Sequence, residues 1–141
     1  MKILKITATL AALSTLSLAA QQPARAGLLS ERGLTAANFP QNKKLADSVY
    51  VWTDVHPSGL YVTNDLIVVT TDGVLVADGQ KDPATTKKMV DFIKGLTIQP
   101  IRYVVVCSEH GDHSGGNESF PSTATFISSP ASKANLADQA K

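Results

Sequence analysis

Cysteine is almost missing from this chain: Cys107 is the only one among 141 residues. No disulfide can form within the molecule, so its stability has to come from packing, helped by metal where one binds. Strong charge of either sign is missing too. Thirteen basic residues face twelve acidic ones, a formal net charge of +1, and no basic run suited to nucleic acid or anionic lipid is present. Internal repeats and low-complexity tracts are absent. With 43% hydrophobic and 18% charged residues, the composition is that of an ordinary globular protein.

Long apolar runs are also lacking, with one exception at the start. Lys2 and Lys5 open the chain, and Ile6 to Ala20 is apolar except for Thr and Ser. The run falls short of the ~20 residues that a membrane span needs. Pro23-Ala24-Arg25-Ala26 then offers a small-x-small junction before Gly27, so residues 1–26 read as a secretory signal peptide rather than an anchor. Cleavage there leaves 115 of the 141 residues, enough for one domain. Losing Lys2, Lys5 and Arg25 turns the charge of +1 into −2. The expected product is exported, periplasmic or secreted, with no membrane attachment after cleavage and no nucleic-acid partner.

Residues 27–47 are mixed and polar, broken by Phe39-Pro40, and read as an extended lead-in to a domain portion over 48–141. From there the pattern is that of strands. Val49 to Trp52 forms the first, and Gly59 to Val62 begins the second. Leu66–Val69 and Val74–Ala77 flank a Thr71-Asp72-Gly73 hairpin turn. The run Leu66 to Ala77 is apolar on both faces, as a sheet covered on both sides requires. A helix over 82–95 follows. Asp82 caps it, Pro83 suits its first turn and Gly95 its end. Met89, Phe92, Ile93 and Leu96 share its core face, while Lys87, Lys88, Asp91 and Lys94 point to water. Ile101 to Cys107 is a further strand, Thr125 to Ser128 another, and Ser129-Pro130 opens a last helix. The order argues for an α/β domain. Trp52 and Tyr61 are assigned to packing, and Cys107 to a small buried residue ending its strand.

That strand runs directly into Ser108-Glu109-His110-Gly111-Asp112-His113-Ser114-Gly115-Gly116-Asn117. A polar surface loop with two solvated histidines would account for the composition. Against it stands the density of ligand types at the carboxyl end of a buried strand, where α/β sheets place their chemistry. Neutral imidazole and carboxylate suit zinc and similar cations, so His110, Asp112 and His113 are the candidate metal ligands. Gly111 is expected to permit the turn that brings the three side chains together, and Gly115 and Gly116 to let the backbone pass close to the site or start a helix. Glu109, one residue along an extended segment, should point away from His110 as a solvated acid. His56, in His56-Pro57-Ser58-Gly59 between two strands, reads first as a turn histidine.

Ser108-x-His110-x-Asp112-His113 resembles the His-x-His-x-Asp-His motif of the metallo-β-lactamase fold superfamily, with Ser at the leading position. The context agrees: a hairpin ending in Val76-Ala77-Asp78-Gly79, a capped helix, a strand, then the motif, Gly-Gly-Asn and Phe120. The likeness covers about residues 48–141. It implies half of a four-layer αββα sandwich, a site for one or two zinc ions, and hydrolysis of a small-molecule substrate by a metal-activated water. By position, His110 would serve the first metal. Asp112 and His113 would serve the second, with Asp112 also orienting the attacking water. Asp78 would brace the loop. His56 falls where the family often carries a loop over the site, which allows it a substrate contact. Ser108 weakens the first metal position and leaves the second favoured. The family's remaining ligands come from the second half of its domain, and the only histidine outside the motif is His56. The chain therefore reads as a first half, a fragment or a natural truncation. On its own it is expected to expose an apolar sheet face and to be inactive, and a non-catalytic metal-binding or partner-dependent relative is the alternative.

Overall fold

A computed structural model describes residues 29–56, 58–59 and 62–139. The expected signal peptide and Tyr61 lie outside the described residues. Six strands form one mixed sheet in sequence order: β1 (Gln41–Ala46), β2 (Val49–Val55), β3 (Val62–Thr70), β4 (Gly73–Ala77), β5 (Ile101–Val106) and β6 (Thr125–Ser128). The first four pair antiparallel. β4, β5 and β6 pair in parallel, which requires crossovers. Helix α1 (Pro83–Leu96) makes the first crossover. The second contains the site segment with α2 (Gly111–Ser114), and α3 (Pro130–Gln139) follows β6.

The lead-in is not merely extended. It holds two short 3-10 turns, Leu29–Arg32 and Ala36–Asn38, and then β1, a strand that its polar sequence hid. β1 is exposed along its whole length. An edge strand bearing Lys43 and Lys44 and a bulge between Lys44 and Ala46 suits that position, because charge and irregularity discourage further pairing. The strand expected to begin at Gly59 and the one at Leu66–Val69 are a single long β3.

Helix α1 begins as its sequence dictates. The Asp82 carboxylate accepts from the Thr85 N–H at 2.9 Å with Pro83 in the first turn, and that bond holds the Asp82 carboxyl below its usual range. Gly95, however, sits inside the last turn, and Thr97 is the C-cap. Met89 and Ile93 are buried as expected, joined by Val90, Thr85 and Thr86, while Phe92 and Leu96 are half-buried. This face packs on Trp52, Ile67, Val74, Val76 and Val104 to make the core, closed by Phe120. Trp52 stacks tilted on Phe92 with ring centroids 5.1 Å apart.

Only one face of the sheet is covered among the described residues. The register aligns Val51, Leu66, Ala77, Val105 and Ile127 in one cross-strand row on the other face. Leu66 there is 38% exposed and Ile127 46%, as is Tyr103, at 38%, in the neighbouring row. The two-sided apolar pattern of β3 and β4 predicts a sheet covered on both faces, whereas the described residues cover one.

Candidate metal centre

The site segment starts where β5 ends at Val106. Cys107 lies beyond the strand and is exposed, not buried as expected: its role is in its backbone, whose N–H donates to Asp78 Oδ1 at 2.7 Å. Ser108 is half-buried, and its hydroxyl accepts from the His110 N–H at 3.3 Å. Glu109 is not a solvated acid. Its carboxylate accepts from Asn135 Nδ2 at 2.7 Å and from Ser132 Oγ at 3.2 Å, both on α3. Its own backbone N–H and these two donors keep its carboxyl below the usual range. The loop is therefore tied to α3 through Glu109.

His110 is exposed and occupies the N-cap of α2 with extended backbone angles. Its carbonyl accepts from the N–H groups of His113 and Ser114 at 2.9 and 3.0 Å. Gly111 does not make the turn by left-handed geometry, for it is not among the positive-φ residues. It is the first residue of a single helical turn, which any residue could start. That turn sets Asp112 and His113 side by side.

The outcome is selective. Asp112 Oδ2 lies 3.6 Å from His113 Nε2. On the other side of the ring, His113 Nδ1 lies 2.9 Å from Asp78 Oδ2. With the Asp78 carboxyl as acceptor, Nδ1 is the donor of that bond, and Nε2 is left on the side of Asp112. Asp78 accomplishes this from a left-handed conformation at the end of β4, with φ of 70°. Its two oxygens clasp both ends of the loop, Cys107 and His113. Among the described residues, no three His, Cys, Asp or Glu side chains gather as a metal-holding group. His110 is thus not brought together with the Asp112–His113 pair.

Backbone packing fixes the loop's other end. Gly116 donates to the Gln80 carbonyl and Gly79 to the His113 carbonyl, both at 2.8 Å. A Cβ on Gly115 would lie 2.0 Å from the Lys81 carbonyl oxygen, and one on Gly116 would lie 1.7 Å from Thr86 Oγ1. The two glycines therefore serve a close passage over the start of α1. His56 sits in the turn between β2 and β3, its Nδ1 2.7 Å from Ser58 Oγ. Desolvation and Lys81 lower its pKa, against Asp112 and Asp82, which places it within the electrostatic reach of the site.

Sequence reasoning missed a polar group behind the site. Asp54, Asp65 and Gln80 are buried, at 2%, 0% and 2% exposure, and Gln80 Nε2 donates to Asp65 Oδ2. The one available signal was the alternation Thr63, Asp65, Ile67, which puts Asp65 on the face of a core residue.

No protein-family model matches the sequence, and no curated protein matches it either. Solved structures do. A metallo-β-lactamase from Pontibacter korlensis aligns at 23% identity with a TM-score of 0.66, covering 73% of this chain and 49% of that one. One from Hirschia baltica aligns at 23% identity and 0.63, covering 72% and 48%. A mono-zinc form from Pseudomonas aeruginosa aligns at 20% identity and 0.63, covering 72% and 46%. The chain spans about half the length of these structures. In its architecture, the described chain has the fold of about half a metallo-β-lactamase.

Proposed function

We propose that this chain contributes to a zinc-dependent hydrolase site in which Asp112 and His113 hold the metal and Asp78 orients His113. The observation that carries it is the approach of Asp112 Oδ2 to within 3.6 Å of His113 Nε2, with Nδ1 held by Asp78. Zinc bonds of about 2.1 Å at tetrahedral angles separate two ligand atoms by about 3.4 Å, so the pair fits one edge of a zinc site. A bound zinc would supply an activated water near neutral pH and polarise the substrate. Asp112 would both ligate and accept a hydrogen bond from that water, which orients it. The substrate is a small molecule. We also propose that the protein works after export, with residues 1–26 removed.

Ser108 and His110 do not complete this pair. Ser108 turns its hydroxyl to the His110 N–H, and a hydroxyl is a poor zinc ligand beside an imidazole. The second metal position is therefore the one favoured, and one zinc is expected rather than two. The shortage of converging ligands supports one competing reading, a non-catalytic metal-binding module, since catalytic zinc generally takes three protein ligands.

Calorimetry with zinc tests both. The 141-residue chain should bind one zinc weakly, Asp112→Ala should abolish that binding, and Ser108→His should add occupancy at the first position. Binding unchanged in Asp112→Ala would refute the assignment. Zinc binding without hydrolysis of lactam, thioester, lactone or phosphoester substrates by a zinc-saturated form joined to a complementary half-domain would favour the module.

A further inference from the structure

The polar group behind the site is arranged as a lock. Asp65 stands on β3 directly opposite Trp52 and faces α1, fully buried. One of its oxygens accepts from Gln80, and the other, Oδ1, has no hydrogen-bond partner among the described residues. The Gln80 main chain accepts from Gly116, the preceding Gly79 donates to His113, and Asp78 clasps Cys107 and His113. Among the described residues, the Asp65 carboxyl hydrogen-bonds to Gln80 rather than to Asp112, His113 or His110. It grips the segment that grips them.

We propose that Asp65 is a positioning residue: in its protonated form its buried carboxyl holds Gln80 and so locks residues 78–80 against the site loop, and its ionisation loosens that lock. The proposal rests on the functional reading only in treating residues 107–116 as the site. A buried carboxylate with a single neutral donor is costly, whereas a neutral carboxyl accepts the Gln80 amide without a charge to solvate. The charged neighbours oppose ionisation on balance. Asp54 of β2 and Asp78 at the end of β4 both repel a negative charge, and His113 of the loop opposes them. The buried residues of α1, Thr85, Thr86, Met89, Val90 and Ile93, are neutral, and Lys88 of that helix lies 3.8 Å from Asp54. Burial first, then the two acids, push the Asp65 carboxyl up to about 7, against the Gln80 bond.

Because the locked form binds a proton that an opened, hydrated Asp65 releases, opening becomes easier as pH rises from about 4 and levels off above about 7. Amide hydrogen exchange on the full chain with metal removed reads this at Gly79 and Gly116. Their protection factors should fall up to about tenfold per pH unit between pH 5 and 7, while that of Met89 in α1 changes far less. In Asp65→Asn, which keeps an acceptor for Gln80 but cannot ionise, the fall should vanish. A second variant, Gln80→Ala, should start with low protection at pH 5 and show no further fall. The proposal is overturned if Asp65→Asn, or failing its folding Gln80→Ala, retains the wild-type profile, or if Met89 falls in parallel with the glycines. A chain that bound no zinc would refute the metal assignment and leave this result unaffected.

Discussion

Replacing Gly116 with alanine probes the packing that holds the site loop on α1. The added Cβ would lie 1.7 Å from Thr86 Oγ1, 2.8 Å from Thr86 Cβ and 2.6 Å from the Asp82 carbonyl oxygen. Reaching even 3.0 Å from the hydroxyl needs a separation of about 1.3 Å more. Thr86 has no room to yield, being fully buried with its hydroxyl donating to that same Asp82 carbonyl at 2.9 Å. If the loop moves instead, the Gly116 N–H leaves Gln80 and a buried carbonyl loses its donor. Overpacking costs about 1–3 kcal/mol and an unsatisfied buried group about 1–3 more, so Gly116→Ala should destabilise by about 3 kcal/mol or more. Thr86→Ala removes the closest contact but leaves the β-carbon of residue 86 at 2.8 Å and the Asp82 oxygen at 2.6 Å. The double variant should therefore recover at least about 1 kcal/mol relative to additivity. Urea unfolding followed by circular dichroism measures both. A loss below about 0.5 kcal/mol, or strict additivity of the two changes, would show that the loop does not pass where the structure places it.

Two further outcomes are expected. The folded-state pKa of Asp65 lies above its unfolded value, so its contribution is fully present below about pH 4 and is lost as pH rises through about 7. Wild type should lose stability over that window, by at most on the order of 4 kcal/mol for a carboxyl pushed up to about 7. Asp65→Asn should flatten the curve, and a difference of less than about 1 kcal/mol between their profiles would contradict the assignment. Intact-mass analysis of protein from its native host should find a chain beginning near Gly27, and a product retaining Met1 to Ala26 would contradict export.

The fold was legible where burial acts on short-range pattern. β-branched runs marked β2, β4 and β5, and the Asp82-Pro83 cap marked α1, because each signal is local. β1 was illegible because an edge strand needs no apolar face: its pairing with β2 supplies the stabilisation and its sequence is free to be polar. In the site, residue types gave the motif, but what side chains touch depends on segments far apart in the chain. Glu109 found Asn135 across 26 residues and Asp65 found Gln80 across 15, distances over which no periodicity speaks. Gly111 misled for a different reason. Glycine invites a left-handed reading, yet the left-handed residue at the site is Asp78.

The ties on the site loop all come from its flanks and its back. Glu109 holds it to α3, Asp78 and Gln80 to the end of β4, and the two glycines to α1. These contacts leave Asp112 Oδ2 and His113 Nε2 unused, so under the proposed metal assignment the pair would be pre-positioned before a cation arrives. Pre-positioning matters more in a site short of ligands. Where a full set of four ligands can gather around the ion and use its binding energy to order the loop, two cannot. On the proposed assignment, a chain with Ser108 at the leading position would have less metal-binding energy available for ordering its loop, and the proposed Asp65–Gln80 lock would supply part of that order from the core. The expected consequence is that loosening the lock weakens zinc binding most where ligands are fewest. Asp65→Leu should cost more affinity in the wild-type Ser108 chain than in Ser108→His, a ratio that calorimetry on the four combinations reads directly. Equal losses in both backgrounds would mean that the lock serves the fold alone.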